Sequence, residues 1–260
     1  GPKVLHIESG LRSFNFFEPF PEEICRFFVS LLADIHFCPN EWAISNLKNK
    51  SGVKINTKNN TLIESLNLAL KVKSEFMVKE LTSKQKYFLL ILHRQEHIFF
   101  KKGLTKRLLS IFLKFASKDL KCVLVLHSLT EKFLENESFN SNFKNVISIP
   151  RIPYIEFMKI MRNCEFVATD GGSNQEECFY LGKPCLILRN VTERIEGLGS
   201  NAVLSKGSIE VIQNFINDYK KYNSKPIRKF ISPSKIIVDY LTKEGKLAKN
   251  GALSVTTGKR

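Results

Sequence analysis

The sequence lacks the features that mark a membrane, secreted or metal-binding protein. No apolar run approaches the length that spans a bilayer, and residues 1–30 contain no signal-peptide pattern. The six cysteines include no CxxC pair, and most lie in apolar stretches, so we expect buried free thiols rather than disulfides or metal ligands. These absences predict a cytoplasmic location and no membrane partner.

Positive charge is the main excess in the composition. Lys and Arg number 40 against 25 Asp and Glu, which gives a net charge of +15. The lysines are spread through most of the chain and no nucleic-acid-binding module accompanies them, so the excess predicts solubility rather than a nucleic-acid partner. A chain of 260 residues that is 43% hydrophobic can form one large or two modest globular domains.

Short apolar, β-branched runs alternate with segments of helical periodicity along the chain. The strand candidates are residues 3–8, 35–38, 87–93, 122–127, 146–149, 165–170 and 184–189. The helix candidates are residues 22–34, 61–80, 103–117, 154–163, 175–182 and 207–222. This alternation predicts an α/β fold with a doubly wound parallel sheet, in which ligands bind beyond the carboxyl ends of the strands.

The polar stretch 48–60 is the predicted domain boundary. After it, residues 61–225 supply enough strand–helix units for a complete nucleotide-binding domain. Before it, only two strands and two helices are predicted, and these are too few to close a core. We therefore expect the first domain to be incomplete.

A glycine turn between a strand and a helix is the first candidate for ligand binding. Gly171, Gly172 and Ser173 follow the predicted strand EFVATD and precede a helix. Small residues there let backbone N–H groups approach a phosphate, although a glycine pair can also serve only the turn. Glu176 and Glu177 follow in the helix. A carboxylate that faces the turn would accept two ribose hydroxyls. The alternative is that both glutamates only complement the helix dipole, which is the role expected for one of them.

Four further charged residues lie near the ends of predicted strands or helices. Arg194 follows the strand PCLILR and suits phosphate binding, with a surface arginine as the alternative. Glu8 ends the first strand, where an acid has no capping role, whereas Glu22 opens a helix, where capping is the alternative. His93 ends the strand YFLLILH, and a structural role is the alternative to a catalytic one.

Taken together, five strings resemble one family and occur in its order. They are HIESGLRSF, PEEICR, ILHRQE, IPYIEFMKIM and TDGGSNQEE with the following LGKPCLILR and TERIEG. The chain resembles the non-hydrolysing UDP-N-acetylglucosamine 2-epimerases over about residues 3–241. The resemblance implies two Rossmann-like domains of glycosyltransferase-B type and an isomerase of cell-envelope polysaccharide synthesis. UDP-GlcNAc and UDP-ManNAc would be interconverted by elimination and re-addition of UDP through 2-acetamidoglucal, without a metal or redox cofactor.

The resemblance also implies roles for residues in the reaction and its control. Glu8 and Glu22 match the family's catalytic glutamates, and His93 matches its histidine near the diphosphate. His127 matches a histidine of the allosteric UDP-GlcNAc site in some bacterial members. A homodimer is expected for the full-length protein.

Five residues match the UDP-binding part of the family's pattern. Gly171, Gly172 and Ser173 fall in the phosphate loop, Glu177 matches the ribose-binding glutamate, and Arg194 the phosphate-binding arginine. The usual TDSGG reads TDGGS here, so the hydroxyl expected at position 171 is absent. HRRE reads HRQE, TERPE reads TERIE, and HxNP reads HSLT, the last of which makes allosteric control doubtful.

The resemblance assigns the whole chain to parts of the family fold. Residues 1–58 match part of the N-terminal domain, 59–225 the UDP-binding domain and 226–243 a helix returning to the first domain, while 244–260 have no assigned role. The family's opening GTRPE strand and its catalytic aspartate have no counterpart here. We therefore expect residues 1–50 to fold poorly and epimerase activity to be weak or absent. The alternatives are a catalytically silent nucleotide-sugar-binding module and an epimerase or hydrolase for a related UDP sugar.

Overall fold

The computed structural model describes residues 2–73, 78, 81, 84–136 and 144–243. The chain divides into two compact units. Of the described residues, the smaller unit takes 2–11, 28–64 and 229–243, and the larger takes the rest, including 12–27. Each unit contains a parallel sheet, so the predicted α/β class is confirmed.

The smaller unit is built on a three-stranded parallel sheet in the order β1-β2-β3. The strands are β1 (Leu5–Ile7), β2 (Ile35–Cys38) and β3 (Val53–Asn56). Its helices include the last part of α1 (Glu22–Leu32), α2 (Glu41–Ser45) and a helix over 233–243. The last of these packs on the central strand, where Ile237 joins Ile35 and Phe37 in a buried cluster.

The larger unit is built on a six-stranded parallel sheet in the order β6-β5-β4-β7-β8-β9. The strands are β4 (Lys86–Ile91), β5 (Leu120–Leu126), β6 (Val146–Pro150), β7 (Val167–Thr169), β8 (Cys185–Ile187) and β9 (Ala202–Leu204). The helices are α3 (Leu62–Lys71, which starts in the smaller unit), α4 (Lys102–Phe115), α5 (Ser128–Asn136), α6 (Tyr154–Asn163), α7 (Gly172–Leu181) and α8 (Ile209–Asp218). A π-helical turn covers Glu96–Phe100, and a 3-10 turn covers Tyr219–Tyr222.

Strand order in the larger sheet identifies its ligand-binding edge. From β4, the chain runs to β5 on one side of the sheet, and β7 pairs with β4 on the other side. The strand order therefore reverses between β4 and β7, and ligands bind at such a reversal beyond the carboxyl ends of the strands. The residues that follow Ile91 and Thr169 meet at this point.

The strand and helix candidates of the sequence omit several elements, among them β3, β9 and α5, and give no range for α2. The stretch 48–60, predicted as a domain boundary, contains β3. The residues of β3 are exposed or only partly buried, and its sequence VKIN has no continuous apolar run that would predict a strand. The strand β9 has only three residues, and α2 only five. The helix α5, SLTEKFLEN, buries only Thr130 and Phe133, so its helical periodicity is faint.

Residues 2–50 form β1, α1, β2 and α2 in the structure. β1 is an edge strand, and Leu5 and Ile7 remain 45% and 49% exposed. The expectation of poor folding in this region stays a prediction, as do the domain limits drawn from the sequence, and 244–260 lie outside the described residues. Within the described part of the chain, none of the helices is both long and apolar enough to cross a membrane.

Candidate active site

The turn between β7 and α7 has backbone features that suit an anion. Gly171 precedes the first residue of α7, and its N–H donates to Oγ1 of Thr169 at 2.9 Å, which braces the turn. The first amides of a helix have no partner within the helix and lie at the positive end of its dipole. Ser173 is exposed in this first turn. The turn can therefore hold a phosphate through backbone N–H groups.

Close neighbours leave little room for a Cβ at either glycine of the turn, and neither glycine has a positive φ. A Cβ on Gly172 would lie 2.4 Å from Oε1 of Glu193. A Cβ on Gly171 would lie 2.7 Å from Oδ1 of Asn174 and 3.0 Å from Cε1 of His93. The His93 ring therefore lies directly beside the glycine turn.

Asp170 holds the loop after β4 against the end of β7. This buried carboxylate accepts the backbone N–H groups of His93 and Arg94 at 2.9 Å each and Nδ1 of His97 at 3.0 Å. Nδ1 of His93 lies 2.9 Å from Oδ1, an ion-pair distance, without the alignment of a hydrogen bond. Burial raises the pKa of Asp170, but His93 and His97 more than offset this effect and hold it well below its usual value. Asp170 is therefore an anion at neutral pH.

His93 and His127 stack on one another, with ring centroids 4.7 Å apart. Burial first, then the neighbouring His93 and Arg151, lowers the pKa of His127 to about 4, so its ring is neutral near pH 7. The family resemblance implies two different sites for these histidines, one catalytic and one allosteric. In the structure they are direct neighbours.

Glu177 is a buried carboxyl at the inner end of the turn. Nδ2 of Asn174 donates to its Oε2 at 3.0 Å, and the Tyr154 hydroxyl also donates to it. Burial raises the pKa of Glu177 to about 7, against the lowering effect of these two hydrogen bonds. Asn174 is fixed in turn by a contact of 3.0 Å between its Oδ1 and Oγ1 of Thr169.

Arg194, the predicted phosphate ligand, is buried behind the turn. Its Nη1 forms an ion pair with Oε2 of Glu176, and the Tyr180 hydroxyl donates to the other carboxylate oxygen. Of the two neighbouring glutamates, Glu176 is therefore the one bound to an arginine, and Glu177 the one held only by neutral donors.

The segment 12–27 carries the predicted catalytic Glu22 and belongs to the larger unit. Oε1 of Glu22 forms an ion pair with Nη1 of Arg94, next to His93. Glu23 is fully buried and accepts Nε of Arg12 at 2.6 Å, so it shapes the segment rather than facing a ligand. The structure thus brings Glu22, His93 and the glycine turn together in one unit.

Glu8 lies in the smaller unit. It follows β1 in the left-handed backbone region, with φ 61°, and its Oε1 accepts Nδ2 of Asn60. Glu8 and Glu22, the two predicted catalytic glutamates, therefore belong to different compact units.

The sequence prediction gave no role to Asp170, His97, Asn174 or Tyr154. His97 follows His93 by about one helical turn, and that spacing was the only signal for it. Asp170 ends a predicted strand, but its contacts with His93 depend on β7 pairing with β4, which spacing along the chain does not reveal. No cluster of three His, Cys, Asp or Glu side chains in the described ranges could hold a metal ion.

Restoring a serine at position 171 is expected to weaken UDP binding. In Gly171→Ser, the new Cβ displaces Asn174, which breaks its contacts with Thr169 and Glu177. We expect the Kd for UDP to rise ~10-fold, since a lost pair of buried hydrogen bonds is worth at least ~1.4 kcal/mol. Calorimetric titration measures this, with Gly103→Ser as the control, because a Cβ at Gly103 meets nothing within 4 Å. Unchanged or tighter binding in Gly171→Ser contradicts the prediction.

Comparison with known proteins gives a consistent result. The family model described as UDP-N-acetylglucosamine 2-epimerase matches residues 2–230. A UDP-N-acetylglucosamine 2-epimerase of Methanococcus maripaludis is 33% identical over 232 residues, covering 85% of this chain and 62% of that protein.

Two solved structures resemble the fold closely. The Neisseria meningitidis UDP-GlcNAc 2-epimerase bound to UDP-GlcNAc has a TM-score of 0.79 at 30% identity, covering 93% of this chain and 70% of that one. The Methanocaldococcus jannaschii UDP-GlcNAc 2-epimerase in complex with UDP-GlcNAc and UDP has a TM-score of 0.76 at 29% identity, covering 93% and 69%. The chain spans about three fifths of the length of the curated relatives that it first matches.

Proposed function

The chain belongs to the UDP-N-acetylglucosamine 2-epimerase family, and on that premise we propose that it interconverts UDP-GlcNAc and UDP-ManNAc. The observation that carries the proposal is the meeting of His93, Asp170 and the Gly171–Gly172 turn at the carboxyl ends of β4 and β7. A ligand is expected at this position of a doubly wound sheet, and a diphosphate suits the amino end of α7.

UDP would be held through the larger unit. The first amides of α7 would bind the diphosphate, with Ser173 exposed beside them. Glu177, when ionised, would accept the two vicinal ribose hydroxyls. Arg194 would contribute positive charge from behind Gly172 while remaining paired with Glu176.

The reaction would proceed by elimination and re-addition. A carboxylate removes the proton at C2 of the sugar, the C1–O bond breaks, and its electron pair leaves on the β-phosphate oxygen of UDP. A proton returned to the other face of C2, with attack of that oxygen on C1, completes the epimerisation. Glu8 and Glu22 are the carboxylates proposed for these proton transfers, and His93 would stabilise the departing diphosphate. No step requires a redox cofactor.

A catalytically silent nucleotide-sugar-binding module is the second candidate function. The observation that favours it is that every residue proposed to bind UDP lies in the larger unit, while Glu8 lies in the smaller one. Binding could then occur without turnover. We also propose a homodimer for the full-length protein, as the family resemblance implies, and a cytoplasmic location, as the sequence predicts.

Incubation with UDP-GlcNAc in deuterated water separates these functions. Elimination and re-addition incorporate deuterium at C2 of the sugar, which NMR follows directly, and Glu22→Gln is expected to abolish the exchange. Saturable UDP binding without exchange, lost in Glu177→Ala, rejects the enzyme and supports the binding module. Release of free ManNAc with UDP identifies a hydrolase instead.

A further inference from the structure

We propose that Glu18 is a positioning residue that anchors the 12–27 segment, and Glu22 with it, to the rest of the larger unit. The inference rests on the proposed function in one respect, since Glu22 matters to catalysis only if the chain turns over a UDP sugar. Glu18 itself does not touch the proposed substrate-binding groups.

Glu18 is a buried carboxylate with several donors. Only 2% of the residue is exposed. Oε1 accepts the N–H of Asn190 at 2.6 Å, and Oε2 accepts Nδ2 of Asn190 at 2.9 Å and Nζ of Lys101 at 3.0 Å. Burial raises the pKa of Glu18, but the hydrogen bonds from Asn190 and Lys101 more than offset it and lower the pKa. The buried negative charge of Glu18 is therefore compensated by these hydrogen-bond donors.

The partners of Glu18 come from two loops that also carry the candidate site. Asn190 lies in the loop after β8, which leads to Glu193 and Arg194. Lys101 ends the loop after β4, which contains His93. A single side chain in the 12–27 segment thus joins both loops at the carboxyl edge of the sheet.

Other contacts of the 12–27 segment with the larger unit are weaker anchors. Glu22 pairs with Arg94, but the Glu22 side chain is 42% exposed. Arg26, whose side chain is 20% exposed, lies 3.5 Å from the buried Glu193, which is longer than the bonds of 2.6 to 3.0 Å made by Glu18. The rings of Phe20 and Phe100 meet edge to face. Exposed ion pairs contribute little because solvent screens them, whereas a buried, hydrogen-bonded charge fixes its surroundings. Glu18 is therefore the contact whose loss should release Glu22.

The test compares Glu18→Ala and Glu18→Gln with Glu210→Ala, an exposed glutamate on α8, in the full chain. We expect kcat to fall at least ~10-fold in Glu18→Ala, with KM and the UDP Kd within ~2-fold of the unsubstituted protein. Glu18→Gln keeps an acceptor for the Asn190 N–H but not the pair with Lys101, so its kcat should be intermediate. A merely structural role would lower kcat and UDP affinity together.

Hydrogen exchange gives a readout that does not depend on activity. The N–H groups of Ser13 and Phe14 donate to Glu23 within the segment, and we expect them to exchange ~10-fold faster in Glu18→Ala.

If Glu18→Ala fails to fold, Lys101→Met removes the same ion pair at a partly exposed position. Unchanged protection, or parallel losses of kcat and UDP affinity, would overturn the proposal. If the unsubstituted chain shows no C2 exchange, the proposed function fails, and amide protection alone still decides whether Glu18 is the anchor.

Discussion

Asp170→Ala is expected to lower the free energy of unfolding by about 3–5 kcal/mol and to abolish C2 exchange. The buried carboxylate accepts the N–H groups of His93 and Arg94 and Nδ1 of His97. Removing it leaves these donors without their acceptor and frees the loop that places His93 beside the phosphate turn. Urea denaturation measures the first effect, and NMR of the sugar measures the second.

Asp170→Asn shows how much of this effect depends on charge. The pKa of Asp170 is depressed in the folded protein, so its stabilisation is fully present above the unfolded value of 3.8 and is lost as the pH falls through the folded value. The difference in unfolding free energy between Asp170→Asn and the unsubstituted chain should therefore persist above about pH 4 and shrink in more acidic solution. Asp239→Asn, an exposed surface carboxylate, is the control. A stable Asp170→Ala variant that retains exchange would contradict the role of this residue.

The sequence predicted those elements whose signal is local. The strand β2 and the helix α6 have the limits predicted for them, 35–38 and 154–163, because each is a run of one clear periodicity. The sequence prediction missed β3 because an edge strand that is only partly buried needs no apolar run. This strand is held instead by its backbone pairing with β2.

The candidate site was predictable only in part, for the same reason. The glycine turn and Glu177 could be placed because strand, turn and helix follow one another directly in the sequence. The contact between His93 and Asp170 joins residues 77 apart and exists because β4 and β7 are neighbours in the sheet. The assignment of 12–27 to the larger unit depends on buried contacts such as Glu18 with Asn190, which have no pattern along the chain.

UDP binding is expected to weaken ~10-fold for each pH unit below about 7, because it requires Glu177 to ionise. In the free protein, burial raises the pKa of Glu177 from 4.5 to about 7. Ribose hydroxyls donating to the carboxylate would favour its charged form, so binding should release a proton near and below neutral pH. Calorimetry in buffers of different ionisation enthalpy measures that proton directly.

Glu177→Gln is the matched control. UDP itself ionises in the same way with either protein, but the side chain at position 177 no longer ionises in the variant. We expect its UDP Kd to be ~100-fold higher at pH 8 and the gap to narrow to ~10-fold at pH 6, since charged hydrogen bonds are worth ~1.5–3 kcal/mol.

The raised pKa of Glu177 also affects the stability of the protein without UDP. Because this pKa is higher in the folded than in the unfolded protein, the folded protein loses stability as the pH rises from 4.5 to about 7. Without UDP, Glu177→Gln should therefore be more stable than the unsubstituted chain at pH 8, by up to about 3 kcal/mol. If UDP binding has the same pH dependence in both proteins, Glu177 does not bind the ribose. This conclusion holds whether or not the chain has epimerase activity.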